Sequence, residues 1–422
     1  MRFPKIAAAV SAALLSAFAP QYATAEDLIL SIGPRGYGGV VPDAVASFQE
    51  ANPDISVEWL KISDVPSESR KLYVTSFTAK APTPDVMTVD VIWPGEFAKR
   101  GWIAPLSEHF EADELQNFNS ALLEAATLGD EFYGVPLFVG GTLFFYRKDL
   151  LDKYDLPVPA TWEDVIASAK VVLEGENDPD LVGFTSMWAK IEGLFMNWLS
   201  FVYGNGGTFF DENGDVAVNS PEAIHAMQTM VDILYEHKIA NEGILNMRPD
   251  DARTLFQQGR AVFMMVQDFV HAPLSADDSP VDGKFDFRRI PTFAGHEDAP
   301  TTAMGGFLIA MNANSENKEA AVKLIKHLTS YDRQLWAATE ASKSPGRVDV
   351  VSDEGMQKVP VLARFGEAFA KGVVRPSALT GNAYPKVSDV MQIEITNALH
   401  QRKTAEEAMN DAAEQINLIL GK

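Results

Sequence analysis

The stretch LILSIGPRGYGGVVPDAVASFQEANPDISVEWLKI, residues 28–62, sets the class of fold. It begins with a short apolar strand, continues through a glycine-rich loop into the helical segment Pro42–Glu50, and ends in a second strand, Ile55–Ile62. A further helical segment, Glu68–Phe77, leads to the apolar run Val86–Val89. Repeated strand–helix units predict an α/β fold in which mostly parallel sheets are flanked by helices.

The alternation continues in a second region that starts near Leu143. Capping signals at Thr161 and at Ser220-Pro221 predict two helices there, and the sequence from Ser315 onward is mostly helical. Asn213-Gly214 predicts a type I′ hairpin turn. No proline- or serine-rich linker separates the two regions, so we expect two lobes that share several crossings of the chain.

The composition argues against polyanionic partners. Among 422 residues there are 58 Asp and Glu against 35 Lys and Arg, which gives a formal net charge of -23. Phosphate backbones and anionic membrane surfaces repel so acidic a protein, so nucleic-acid binding is not expected. Hydrophobic residues make up 46% of the chain, enough for packed cores, and cysteine is absent. Disulfides, thiolate metal sites and lipid attachment through cysteine are therefore excluded.

The N-terminus has the pattern of a secretory signal peptide, residues 1–25. Arg2 and Lys5 precede an apolar run, Ile6–Ala19, and Ala23-Thr24-Ala25 offers a small-residue cleavage site. The alternative, a membrane anchor, is disfavoured because spanning a bilayer takes about 20 apolar residues. We therefore expect a periplasmic protein that is neither lipid-anchored nor inserted in the membrane.

Signatures of catalysis and of cofactors are weak. The glycine cluster Gly33–Gly39 fits neither dinucleotide nor P-loop spacing, so a loop that presents a helix N-terminus to a cleft is the better interpretation. Asp211–Asp215 resembles the start of a calcium loop, but Val216 stands where glycine is needed, which favours a hairpin turn. We expect no cofactor and no metal. An exported glycoside hydrolase remains the alternative function, because the paired catalytic carboxylates of such enzymes leave no sequence signature.

Candidate ligand contacts follow the predicted strands. Asp90 and Trp93 come directly after Val86–Val89, and ligands of open α/β sheets bind beyond the carboxyl ends of strands. A carboxylate and an aromatic ring suit the hydroxyl pairs and C–H faces of a sugar. The alternatives are a helix cap for Asp90 and a packing role for Trp93. Trp188, after the strand Val182–Thr185, is compatible with either a ligand contact or the core.

Two long segments carry a family resemblance. PDVMTVDVIWPGEFAKRGWIAPL, residues 84–106, and YGVPLFVGGTLFFYRKDLLDKY, residues 133–154, resemble the carbohydrate-binding proteins of ABC importers. The nearest likeness is to the trehalose/maltose-binding members of the maltose-binding-like solute-binding family. Six shorter matches follow in the same order as in that family: Gly204–Gly207, Leu255–Phe263, Ala276–Lys284, Met304–Phe307, Pro345–Val350 and Val374–Pro376.

The resemblance implies a periplasmic binding protein fold of two lobes with the ligand cleft between them. The N-terminal lobe would comprise residues 26–139 and 303–343, and the C-terminal lobe residues 140–302 and 344–422. Crossings at Leu137–Gly141 and Thr302–Phe307 would act as a hinge that closes on the ligand. The implied partners are a small carbohydrate and the inner-membrane permease subunits of an ABC importer, and the implied state is a monomer.

The resemblance also implies which residues contact the ligand, a disaccharide or related α-glucoside of the trehalose/maltose kind. This sequence departs from the family pattern at three positions. Tyr37 stands where an acidic ligand contact is usual, Gly140 replaces an aspartate, and Gln267 replaces a tryptophan. A polyol, a monosaccharide or a modified sugar therefore remains an alternative, and Lys71 is an alternative to Arg70. With the two tryptophans above, the candidate ligand-binding residues are Tyr37, Arg70, Asp90, Trp93, Phe138, Trp188, Gln267, Gly306, Phe307 and Arg375.

Overall fold

The structure is a computed structural model that describes residues 26–33, 40–63, 66–341, 343–352, 354, 356, 359–369 and 372–422. The predicted signal peptide, residues 1–25, and all but the first residue of the glycine-rich loop lie outside the described residues. Within those ranges the strands are β1 Glu26–Ile32, β2 Ile55–Lys61, β3 Val86–Asp90, β4 Thr127–Leu128, β5 Glu131–Phe132, β6 Val135–Arg147, β7 Val182–Ser186, β8 Ala261–Gln267, β9 Phe285–Arg288, β10 Thr302–Met311 and β11 Gly372–Val374.

The helices cover the faces of the sheet and build most of the C-terminal part. In chain order they are α1 Val41–Ala51, α2 Pro66–Thr78, α3 Pro94–Lys99, α4 Ala112–Leu115, α5 Ser120–Ala125, α6 Lys148–Lys153, α7 Trp162–Glu176, α8 Glu192–Gly204, α9 Pro221–Tyr235, α10 Pro249–Gln257, α11 His271–Leu274, α12 Lys318–Leu328, α13 Tyr331–Ala341, α14 Val348–Val351, α15 Pro360–Phe369, α16 Ser377–Thr380, α17 Tyr384–Leu399 and α18 Ala405–Leu420.

Local capping signals correctly predicted two of the helices, α7 and α9, and a third helix, α18, has a cap of the same kind. The Thr161 hydroxyl accepts the backbone N–H of Asp164 in a complete capping box at the start of α7. Ser220 caps α9 in the same way, with Pro221 at the first helical position, and Thr404 caps α18. These signals work because a side-chain oxygen next to the helix start satisfies backbone donors that have no partner within the helix.

The main sheet is mixed, with the strand order β2-β1-β3-β10-β6-β8-β7. Strands β2, β1 and β3 are parallel at one end, as are β8 and β7 at the other. The strands between them, β3, β10, β6 and β8, pair antiparallel. The expectation of mostly parallel sheets therefore holds only at the two ends, because β10 and β6 run in opposite directions between the two halves of the fold.

Strands β6 and β10 form a ribbon that belongs to both halves of the sheet. Residues 135–141 of β6 pair with β10, and residues 142–146 pair with β8. Strand β10 pairs with β3 through residues 307–311 and with β11 through residues 302–304. The predicted crossings at Leu137–Gly141 and Thr302–Phe307 thus lie inside hydrogen-bonded strands rather than loops. The lobe boundaries stay a prediction. Strand β6 changes its partner from β10 to β8 between Gly141 and Thr142, within three residues of the boundary predicted between residues 139 and 140.

The predicted hairpin at Asn213-Gly214 forms a wider turn than expected. Phe210 and Val216 are the paired residues, so five residues separate them rather than two. The Asp211 carboxylate accepts the backbone N–H groups of Asn213 and Asp215, and Gly214 adopts a φ of 81°. The type I′ assignment was wrong because Asn213 does not adopt the positive φ that this turn requires at both of its central residues. The backbone N–H of Gly214 donates instead to the backbone oxygen of Asp211 at 3.0 Å.

Candidate functional site

A cavity of about 210 Å³ lies where several strands end and several helices begin. Asp90 at the end of β3, Gln267 at the end of β8 and Arg375 just after β11 line it, together with the first residues of α8 and α10. The middle of the β6–β10 ribbon contributes Phe138 and Phe307. Strand carboxyl ends and helix N-termini present polar backbone groups to the same space, which is where ligands bind in α/β folds.

Arg375 joins two carboxylates at the wall of this cavity. Its Nη2 lies 2.5 Å from Oδ1 of Asp90, while its Nη1 lies 3.5 Å from Oδ2 of Asp90 and 3.2 Å from Oε1 of Glu192. The side chains of Arg375 and Asp90 are 3% and 4% exposed, so this is a buried ion pair and not an ion pair of the surface. The planar fork of the guanidinium matches the two oxygens of one carboxylate, which a lysine cannot do.

Two hydroxyl groups hold Glu192, the first residue of α8. Tyr384 donates a hydrogen bond to Oε1 and Ser388 donates one to Oε2, the latter at 2.5 Å. Both donors belong to α17, and their spacing of four residues places them on one face of that helix. One guanidinium therefore ties together the end of β3, the start of α8 and, through Glu192, the start of α17.

This cluster holds two carboxylates for one guanidinium. Burial raises the pKa of Asp90 and the Glu192 charge adds to the shift, while Arg375 opposes it. Burial alone would lower the pKa of Arg375, but the carboxylates beside it raise that pKa above its ordinary value. Burial and the Glu192 charge raise the pKa of Tyr384 well above its ordinary value. At neutral pH, Arg375 stays charged and Tyr384 stays protonated, so both remain hydrogen-bond donors.

An aromatic pair forms an apolar wall of the cavity. The rings of Phe138 and Phe307 stack with their centroids 5.2 Å apart and their planes at 25°, and the two residues are partners in the β6–β10 ladder. On its other side Phe307 is the partner of Asp90 in the β3–β10 ladder. An apolar ring surface and a carboxylate thus stand at the same cavity, a combination suited to a molecule with C–H faces and hydroxyl edges.

Gly306 and Gln267 also line the cavity, as the sequence predicted. A Cβ atom at Gly306 would lie 2.6 Å from Cδ2 of Leu122 and 2.8 Å from the backbone oxygen of Phe138, so a larger residue would push the strands apart. Within the described ranges, Oε1 of Gln267 and Nε of Arg375 are buried without a hydrogen-bond partner. Such atoms are costly in a folded protein, which marks both as candidates for ligand contact.

The structure does not bring three of the predicted residues to the cavity. Arg70 pairs instead with Glu96, with Nη2 2.5 Å from Oε2. Trp93 is 2% exposed in an aromatic core, consistent with the packing alternative. Trp188 is 1% exposed and its Nε1 donates to Oδ1 of Asn197 at 3.2 Å. Both tryptophans follow strand ends, but their large apolar rings fill the space between sheet and helices.

Sequence reasoning missed several residues that line the cavity, and Tyr37 lies outside the described residues. Glu192 was missed because no local pattern distinguishes it from other acidic residues at helix starts. Asp268 could have been found, because it directly follows β8 just as Asp90 ends β3. Lys343 was missed because it reaches the cavity only through the tertiary fold.

The acidic turn around Asp211 was the alternative metal site. The described part of the chain contains no cluster of three or more histidine or carboxylate side chains that could hold a metal ion. In the turn itself, the Asp211 carboxylate accepts backbone N–H groups at 2.8 and 2.9 Å. Both donors reach Oδ1, so this oxygen closes the turn.

The profile of the bacterial extracellular solute-binding proteins matches residues 34–334. Since the match covers well over half of the sequence, the chain belongs to this family of binding proteins. The predicted class, a binding protein and not an enzyme, is confirmed.

Relatives of nearly the same length support this assignment. A "Probable ABC transporter-binding protein" of Deinococcus radiodurans is 29% identical over 371 residues, which are 86% of this chain and 87% of the relative. Maltose-bound MalE3 of T. maritima is 34% identical with a TM-score of 0.87, over 93% of this chain and 100% of that one. A solute-binding protein of Thermotoga lettingae TMO with bound alpha-D-tagatose is 25% identical with a TM-score of 0.82, over 94% and 100%. These similarities confirm the two-lobed α/β fold.

No helix in the described ranges combines the length and the apolar character that crossing a membrane requires.

Proposed function

We propose that this protein captures a neutral carbohydrate from the periplasm and delivers it to the permease subunits of an ABC importer. Its membership of the solute-binding family supports the transport role. The relatives support the ligand class, because similar solved structures include one bound to maltose and one bound to α-D-tagatose. The acidic, cysteine-free sequence and its N-terminal signal pattern support a free, exported monomer.

The balance of acidic and basic side chains around the cavity favours a neutral ligand. Acidic and basic side chains are equal in number among the described residues that line it: Asp90, Glu192, Asp268, Arg248, Lys343 and Arg375. A site built for an anion or a cation would hold an excess of the opposite charge, because an unpaired charge in a closed cavity is costly. Most of the remaining lining residues are apolar or aromatic, while Gln267 and Ser344 add neutral polar groups. The ligand therefore needs both apolar faces and hydrogen-bonding edges.

Within this function, six of the predicted residues are our proposed ligand contacts. Asp90 and Arg375 would bind hydroxyl groups through a carboxylate and a guanidinium, and Gln267 would accept a hydroxyl hydrogen at its unpartnered Oε1. Phe138 and Phe307 would pack against the C–H face of the ring. Gly306 would allow the ligand to approach the β10 backbone. Tyr37 remains a prediction from the sequence.

Two sizes of ligand are supported by different observations. A disaccharide or related α-glucoside of the trehalose/maltose kind is the first candidate, supported by the similarity to the maltose-bound protein. A monosaccharide or polyol is the second, since the cavity of about 210 Å³ is smaller than the roughly 300–1,000 Å³ usual for larger ligands. The glycine at position 140 and the glutamine at position 267 also reduce the contacts available to a second sugar ring.

A thermal-shift screen would test the function and choose between the sizes. Maltose, trehalose, α-D-tagatose and mannitol would be compared, with gluconate as a charged control. A ligand at 100 times its Kd stabilises the folded state by about 2.7 kcal/mol, which raises the melting temperature measurably. We expect at least one neutral carbohydrate to do so, to bind in calorimetry and to be recovered unchanged. Stabilisation by charged solutes alone would refute the proposal.

A further inference from the structure

Asp268 brings a third carboxylate to the cavity, from the end of β8. It directly follows β8 and begins the short turn Asp268–Val270. The pairing of Thr142 with Gln267 places it beside β6, where its Oδ1 accepts the backbone N–H of Gly141 at 3.3 Å. Its side chain therefore stands at the point where β6 changes partner from β10 to β8.

The residue facing this carboxylate is a glycine. A Cβ atom at Gly140 would lie 3.0 Å from Oδ1 of Asp268, closer than nine in ten real contacts of that kind. The missing side chain at position 140 thus leaves the space that the Asp268 carboxylate occupies. Both residues line the same cavity, so the pair shapes its wall and supplies an acceptor there.

Asp268 differs from the other two carboxylates of the cavity in how its oxygens are used. Asp90 and Glu192 are held by Arg375, Tyr384 or Ser388. Among the described residues, none forms an ion pair with Asp268, although the charge of Lys343, which lines the same cavity, acts on it. Oδ1 accepts the backbone N–H of Gly141, while no hydrogen bond from the described residues ends on Oδ2.

Backbone donors and one nearby charge act on this carboxylate, but they do not offset its burial. Burial raises its pKa to about 6, although the charge of Lys343 and the backbone N–H groups of Gly141, Asp268 and Phe269 oppose the shift. The nearest histidine in sequence, His271, packs its ring against Phe285 and Phe287 instead of facing Asp268. A ligand hydroxyl would supply the missing donor, and hydrogen bonds to a charged acceptor are the strong ones.

We propose that Asp268 is a specificity-determining contact, whose free oxygen binds a hydroxyl group of the ligand in the space that Gly140 leaves open. This inference rests on the proposed function and assigns that hydroxyl to a ligand position next to the β6–β8 junction. A neutral carbohydrate with a hydroxyl there is selected over one that lacks it, because the unpaired carboxylate would otherwise stay buried.

Calorimetry on two variants and a control tests the proposal. Asp268→Asn keeps the shape but removes the charge, Gly140→Ala crowds the carboxylate, and Asp282→Asn removes an exposed charge away from the cavity. The probes are maltose, trehalose, α-D-tagatose and mannitol. We expect Asp268→Asn and Gly140→Ala to weaken binding about tenfold or more, and Asp282→Asn to bind like the wild type. Wild-type affinity should fall below about pH 6 as Asp268 gains its proton, and Asp268→Asn should lose this dependence.

The possible outcomes separate the role of Asp268 from the proposed function. If the wild type binds a probe and Asp268→Asn binds it equally well with the same pH profile, the role of Asp268 is refuted while the proposed function stands. If the wild type binds none of the probes nor any other neutral carbohydrate, the proposed function fails and the role of Asp268 falls with it. Melting curves recorded in parallel would show that each variant is folded.

Discussion

Replacing Arg375 by lysine tests the buried cluster and the ligand site together. Lysine keeps the positive charge but offers one ammonium in place of a planar fork. In the structure the guanidinium makes three hydrogen bonds to two carboxylates, Asp90 and Glu192, at 2.5, 3.2 and 3.5 Å. An ammonium on this backbone would keep one of them well aligned.

The expected cost follows from these contacts. A hydrogen bond to a charged group contributes about 1.5–3 kcal/mol, and the charge that lysine retains offsets part of what is lost. We therefore expect Arg375→Lys to lower the free energy of unfolding by about 2–4 kcal/mol. If Arg375 also contacts the ligand, its affinity should fall by roughly tenfold or more, equivalent to about 1.4 kcal/mol.

Urea titration and calorimetry with the carbohydrate found by the screen would measure the two effects. The matched control is Arg260→Lys, because Arg260 pairs with Asp180 at 3.2 Å where the two side chains are 46% and 75% exposed. An exposed pair of that kind contributes under about 1 kcal/mol, and it lies away from the cavity. If Arg375→Lys has the same free energy of unfolding and the same ligand affinity as Arg260→Lys, the buried guanidinium does not have the role inferred from its contacts.

Four further outcomes are expected. Asp90→Ala should weaken ligand binding by about 2–3 kcal/mol in calorimetry and, because Arg375 then keeps only one carboxylate, should also lower the free energy of unfolding by about 3 kcal/mol; unchanged affinity would restrict Asp90 to a structural role. Gly306→Ala should lower the melting temperature, since its Cβ would meet Leu122 at 2.6 Å, and a wild-type melting curve would show that the strands can separate at little cost. Small-angle scattering should give a smaller radius of gyration at ligand saturation, whereas an unchanged radius would count against hinge closure. Because the pKa of Asp268 is raised to about 6, the folded state holds its proton more tightly than the unfolded state. Its contribution to the free energy of unfolding should therefore grow by about 1–3 kcal/mol as the pH falls from about 6 to about 4, and Asp268→Asn should remove that part of the pH dependence in urea titrations.

Features encoded within a few residues could be predicted from the sequence. Thr161 and Ser220 predicted their helices because the cap and the helix that it starts are neighbours in the chain. Asp90 could be placed at the cavity because a polar residue at the end of an apolar strand follows a general rule of α/β folds.

Features that depend on distant partners could not be predicted in this way. The burial of Arg375 between Asp90 and Glu192 joins residues from three remote parts of the chain. Trp93 follows the same strand as Asp90, yet its ring turns into the core, a choice that depends on the packing of Tyr73 and Phe97. The antiparallel centre of the sheet was missed for the same reason, since strand direction is fixed by pairing and not by local pattern.

The position of β10 between β3 and β6 has a consequence for how the chain is made. Asp90 pairs with Phe307, so β3 can pair with β10 only after more than 200 further residues have been synthesised. At about 5–20 residues per second, ribosomal synthesis separates the two strands by roughly 10–40 s. During that interval the β3 edge can pair with other chains, which is how aggregation begins. Strand β3 is therefore covered on its second edge only after β10 has been made, and a chain that ends before Thr302 should aggregate instead of folding.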